Sequence, residues 1–106
     1  MKAIQLNRPG NILSPSDTIG SVLLTTSSQM ISPPPGAEHV VFSANADFYA
    51  AYGQEAGVPT ATSTPSSTQS ELNPTARDIH STAATTGIGI IAPVAGGLLT
   101  MSWFGP

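Results

Sequence analysis

The sequence predicts an all-β fold, a small β-sandwich or barrel of roughly five to seven antiparallel strands, and three observations lead there. In residues 40–52 every even position is apolar, while Ser43, Asn45 and Asp47 fall on odd ones, and this period of two belongs to a half-buried strand. Two further apolar runs of strand length, 19–26 and 86–93, are rich in β-branched residues and bounded by turn formers. Finally, 10 Gly and 10 Pro break up the 106 residues with turn signals. A chain of this length supports one domain. The reading divides it into an N-terminal arm, 1–18, and a single β domain, 19–106, carrying a long loop over 57–70.

Residues 1–18 mix a short alternating piece, Ala3 to Leu6, with breakers such as Pro9, Gly10 and Pro15, which predicts an extended arm holding at most one short strand. Ile19 to Thr26 reads as a strand. Three prolines, Pro33 to Pro35, cannot donate to a ladder, so the segment around them is a rigid connection or an edge. The 40–52 segment is one strand, or two sharing a bend near Asn45. Its even face carries Phe42, Phe48 and Tyr52, the expected core anchors, because aromatic rings bring the largest apolar area per residue. Residues 57–70 lack both charge and hydrophobic periodicity and form a long excursion. Thr68 and Glu71 have capping-box spacing, but Pro74 limits residues 71–74 to a single turn. Thr86 to Pro93 reads as a strand, Val94 to Gly97 as a turn, and Leu98 to Phe104 as a closing strand, so a C-terminal hairpin is expected. In the last strand Leu99, Met101 and Trp103 share a face, which makes Met101 and Trp103 anchors as well.

Charged residues make up 8% of the chain, against about 25% in ordinary soluble domains. The surface polarity comes instead from 13 Ser and 12 Thr. A hydroxyl is easily paired when a partner covers it, whereas a buried unpaired charge is costly, so this composition suits a protein that packs against neighbours. With three basic residues and a net charge of -3, the chain is not expected to bind nucleic acid. The absence of cysteine excludes disulfides, thiolate metal sites and cysteine nucleophiles. Met1 to Pro9 lacks the apolar run of a signal peptide. Residues 81–106 carry no charge, but Pro93 and the Gly96–Gly97 pair favour a β-hairpin over a membrane span.

No motif assigns chemistry. His39 lies beside Glu38 and His80 near Asp78, yet zinc sites need three or four ligands at tight spacing, and strand neighbours point to opposite faces. Neither a nucleophile elbow nor a phosphate-binding glycine loop occurs. The expectation is therefore no enzyme, no catalytic residue, no metal and no cofactor.

Three blocks carry a resemblance: Val41 to Tyr49 followed by Tyr52–Gly53, then Ser70 to Pro74, then Ile88 to Pro93 with the terminal aromatic strand. Spanning residues 40–106, they resemble small structural proteins of tailed-bacteriophage virions, such as capsid decoration (cement) proteins and head or neck components. The resemblance implies a non-enzymatic virion protein, assembled in the host cytoplasm. It would bind the major capsid protein or other virion subunits, commonly as a trimer, and stabilise the head. A neck, tail or baseplate component is the nearest alternative, and a receptor- or carbohydrate-binding β-module the next.

Overall fold

A computed structural model of the chain describes residues 1–4, 15–79 and 86–106. Eight strands lie among them: β1 Thr18–Leu23, β2 Gln29–Ile31, β3 His39–Ala44, β4 Tyr49–Tyr52, β5 Glu71–Leu72, β6 Ala76–Asp78, β7 Ile88–Ile91 and β8 Leu98–Phe104. They form two four-stranded antiparallel sheets, sheet A in the order β1-β8-β3-β6 and sheet B in the order β2-β7-β4-β5. The all-β expectation holds, with more strands than the sequence reading allowed. The extra ones are β2, β5 and β6, each only two or three residues long. The piece from Ala3 to Leu6 falls partly outside the described residues, and Met1–Ile4 is not in a strand.

The two sheet orders correspond place by place. β1 and β2, β7 and β8, β3 and β4, and β5 and β6 are each joined by a short connection that carries the chain from one sheet to the other. The molecule is thus four β-arches set side by side. Residues 40–52 take the second of their two expected forms, two strands sharing a bend near Asn45, and these lie in different sheets. The expected C-terminal hairpin is corrected: β7 and β8 belong to different sheets, and the 92–97 connection bonds to the β1–β2 arch, where Ala92 N–H donates to Thr25 C=O at 2.9 Å, Leu24 N–H to Gly97 C=O at 2.8 Å, and Gly96 N–H to Leu24 C=O at 3.0 Å. Arches this close leave no room for a side chain at Gly97, where an added Cβ would stand 2.6 Å from that of Ala46.

Alternation within each strand sends one set of residues between the sheets. Val40 and Phe42 of β3 and Leu99, Met101 and Trp103 of β8 meet Phe48, Ala50, Ile88 and Ile90 from the sheet B side in one buried cluster. Phe42 and Phe48, on either side of the bend, pack as tilted rings 5.8 Å apart. Four of the five sequence-named anchors are therefore buried. Tyr52 is the exception: it is half-buried at the margin of the cluster, and its hydroxyl donates to Glu71 Oε1 at 2.8 Å.

At the opposite end from the arches, Gly105 N–H donates to Lys2 C=O at 2.9 Å, so the first residues dock beside the end of β8. No described helix is long and apolar enough to cross a membrane.

Candidate interaction face

The outer faces of the two sheets are treated differently by the chain. Over sheet B, residues 53–57 run as a strap across β7, where an added Cβ on Gly89 would lie 2.3 Å from Gln54 O and 2.6 Å from Ala56 N. Ala56 N–H donates to Ser28 Oγ at 3.1 Å, and Ala51, Ala56 and Ile91 form a second small buried cluster with Tyr49 against it. All four residues of β7 are consequently buried. Beyond the strap, two hydrogen bonds tie the base of the 57–70 excursion, Gly57 N–H to Ser70 Oγ at 3.0 Å and Gln54 Nε2 to Ser67 C=O at 2.9 Å.

Among the described residues, β1, β8 and β3 of sheet A have no such cover. The registers of β1 with β8 and of β8 with β3 set its outward residues in rows. Leu23 and Leu98 form an aliphatic row, Ser21, Thr100 and Ser43 a hydroxyl row, and Ile19, Ser102 and Val41 a mixed one. Ile19, Leu23 and Leu98 are 59%, 57% and 50% exposed. None of these eight side chains is charged. Among the described residues, charge begins at the margins of this face, with Asp17 just before β1 and with Asp78, opposite His39 in the β3–β6 ladder. Glu38, the sequence neighbour of His39, lies just before the strand, and His80 lies outside the described residues. No three His, Asp or Glu residues among the described residues gather into a cation site.

The polar constellation of the molecule sits on the β5/β6 side. Arg77 grips Glu71 with both ends of its guanidinium fork, Nε to Oε1 at 3.0 Å and NH2 to Oε2 at 2.7 Å. This grip, assisted by the Tyr52 hydroxyl, holds the Glu71 carboxyl below its ordinary range against a partial desolvation. Burial first, and then the adjacent carboxylate, push the Tyr52 hydroxyl above the ordinary tyrosine range. A raised phenol and a depressed carboxyl are poor proton donors and acceptors near neutrality. What the group does is join sheets, since Glu71 belongs to β5 of sheet B and Arg77 to β6 of sheet A.

A concavity of about 460 Å³ opens where the β3–β4 and β5–β6 arches meet, lined among others by Asn45, Asp47, Asn73 and Thr75. Its amides are committed to the backbone. Asn73, at φ 46°, accepts from Phe48 N–H on Oδ1 at 2.9 Å and donates from Nδ2 to Asp47 Oδ1 at 2.9 Å. Asn45 Oδ1 accepts from Leu98 N–H at 2.9 Å. These side chains shape the arches.

Comparison with protein-family models, with curated proteins and with solved structures finds no match to the chain. The uncovered face of sheet A is thus read from its own residues. Its composition was legible in the sequence as scarce charge and abundant hydroxyls, but its location was not.

Proposed function

We propose that the protein is a non-catalytic structural subunit that works by binding other protein subunits through the outer face of sheet A. The observation that supports this reading is the contrast between the two sheets: one is roofed by its own chain, and the other presents an uncharged hydroxyl and aliphatic surface. Covering such a surface costs little desolvation, because no charge has to be stripped of water and each hydroxyl can be paired.

The setting that fits this role, on the resemblance carried by residues 40–106, is the virion of a tailed phage. There the protein acts as a decoration protein on the major capsid protein lattice and stabilises the assembled state by mass action. The 57–70 excursion is the described segment that would reach over adjacent subunits; most of the expected N-terminal arm lies outside the described residues. A place in the neck, tail or baseplate is the competing setting, and copy number separates the two.

Quantitative mass spectrometry of purified particles, with a cryo-EM map, tests the reading. Hundreds of copies seated through Ile19, Leu23, Leu98 and Thr100 are expected, whereas about six or twelve would move the protein to the neck or tail. Absence from the particle, or seating through another surface, overturns the proposal. Thr100→Lys, on the solvent side of β8, should leave folding intact and abolish seating.

A further inference from the structure

The four edges of the two sheets are guarded unequally. β5 and β6 are two and three residues long and are clasped by Glu71 and Arg77. β2 is three residues long and runs toward Pro33, Pro34 and Pro35. β1 has six residues, TIGSVL, with neither charge nor proline, and it stands at the edge of sheet A. Long uncharged edges are where a further strand adds.

The ladder fixes what this edge offers. Leu24 N–H donates to Gly97 C=O, and Val22 is opposite Leu99 and Gly20 opposite Met101. By alternation the even residues bond to β8, and Ile19, Ser21 and Leu23 turn their N–H and C=O groups outward. The same three side chains stand on the outer face, with Ile19 and Leu23 among the most exposed large apolar residues described. At this edge, Gln29 Nε2 donates to Leu23 C=O at 2.8 Å.

Read from either end, the outward residues run apolar, hydroxyl, apolar. We propose that β1 pairs antiparallel with β1 of a second copy about a two-fold axis at Ser21, joining two A sheets into one continuous sheet. Ser21 then faces Ser21 of the second copy and exchanges both backbone hydrogen bonds with it. Ile19 faces Leu23 in both directions, so each covers the other's apolar surface, and the Leu23 carbonyl shares its second lone pair or releases Gln29. A two-residue slip one way would set Ile19 against Ser21 and Leu23 against Asp17, and a one-residue slip would mismatch the faces. The sequence therefore specifies one register and one partner, itself, with the closed symmetry of an isologous pair. A two-fold pair would replace the threefold arrangement implied by the resemblance, and it leaves the outer face of sheet A free for docking.

Sedimentation equilibrium of the full chain, combined with substitutions at Ser21, tests the pairing. The chain has no cysteine, and residues directly opposite in a hydrogen-bonded pair have Cα atoms about 5.5 Å apart, within disulfide reach. Ser21→Cys should therefore cross-link nearly completely to a dimer under mild oxidation, while Ser43→Cys, two strands inward on the same face, should not. Ser21→Lys and Ser21→Glu should each be monomeric with an unchanged thermal melt, and an equimolar mixture of the two should restore the dimer, because only a residue on the axis meets its own copy. A wild-type chain that stays monomeric to about 1 mM, equal cross-linking through Ser43→Cys, or a Ser21→Lys dimer would each overturn the proposal. A chain that pairs as described yet is missing from particles sinks the docking reading alone.

Discussion

At Gly89 an added Cβ would stand 2.3 Å from the backbone oxygen of Gln54. The glycine's missing side chain lets the Gln54–Ala56 backbone lie directly on β7, and in doing so decides which sheet is roofed. Gly89→Ala sets a methyl against backbone that has no rotamer to yield, so the strap must lift. A loss of about 1 to 3 kcal/mol is expected, as for other overpacked sites, read as a lower midpoint in urea and faster proteolysis within 57–70. A midpoint matching wild type would show that the strap is not held there. At this scale the sequence was partly transparent. Phe42, Phe48, Met101 and Trp103 announce themselves through period-two patterning, since the alternation that buries them is local. Tyr52 follows the same alternation, but β4 ends at the margin of the core and Glu71 is there to take its hydroxyl. Gly89 gave no sign, because its partner is set by a crossing between segments more than thirty residues apart, and nothing periodic records that.

At the level of elements, the clasp between β5 and β6 makes the edge of the sandwich sensitive to acid. The Glu71 carboxyl is depressed in the folded protein, chiefly by Arg77, so its contribution to stability is complete above the ordinary carboxylate range and is lost as pH falls through the folded value. Because the Glu71 and Arg77 side chains are 41% and 37% exposed, that contribution is held below about 1 kcal/mol. Wild type should lose more stability between about pH 6 and about pH 3 than Glu71→Gln does, as measured by urea midpoints. Parallel pH profiles would mean that the fork bonds add nothing. The clasp was hidden in the sequence because β5 and β6 are too short for periodicity to register, so Glu71 read as part of a turn. The arches were hidden for a related reason. A short link such as Val94 to Gly97 serves a hairpin or a sheet-to-sheet crossing equally well, and the choice is made by Leu24 and Thr25, far away in the chain.

Across the described molecule, charge surrounds the outer face of sheet A without entering it: Lys2, Asp17 and Glu38 are around the end opposite the arches, Asp47 is at the arches, Glu71, Arg77 and Asp78 are on the clasped side, Glu55 is on the strap over sheet B, and none is on the eight-residue face of β1, β8 and β3. An association made through that face should therefore be nearly indifferent to salt. Raising sodium chloride from about 0.05 to about 0.5 M, which shortens the Debye length several-fold, should change its Kd by less than about threefold. A steep salt dependence would place the contact on the charged margins instead. The arches have a consequence for how such a molecule comes into being. Of the successive strands, only β4 and β5 bond to each other, and the strand that holds β1 to β3 is β8, the last of the eight. Almost no native ladder can close between neighbours in sequence, which puts folding in the slow regime of non-local topologies. A nascent chain that has reached Ile91 holds seven strands and still leaves β1 without its partner.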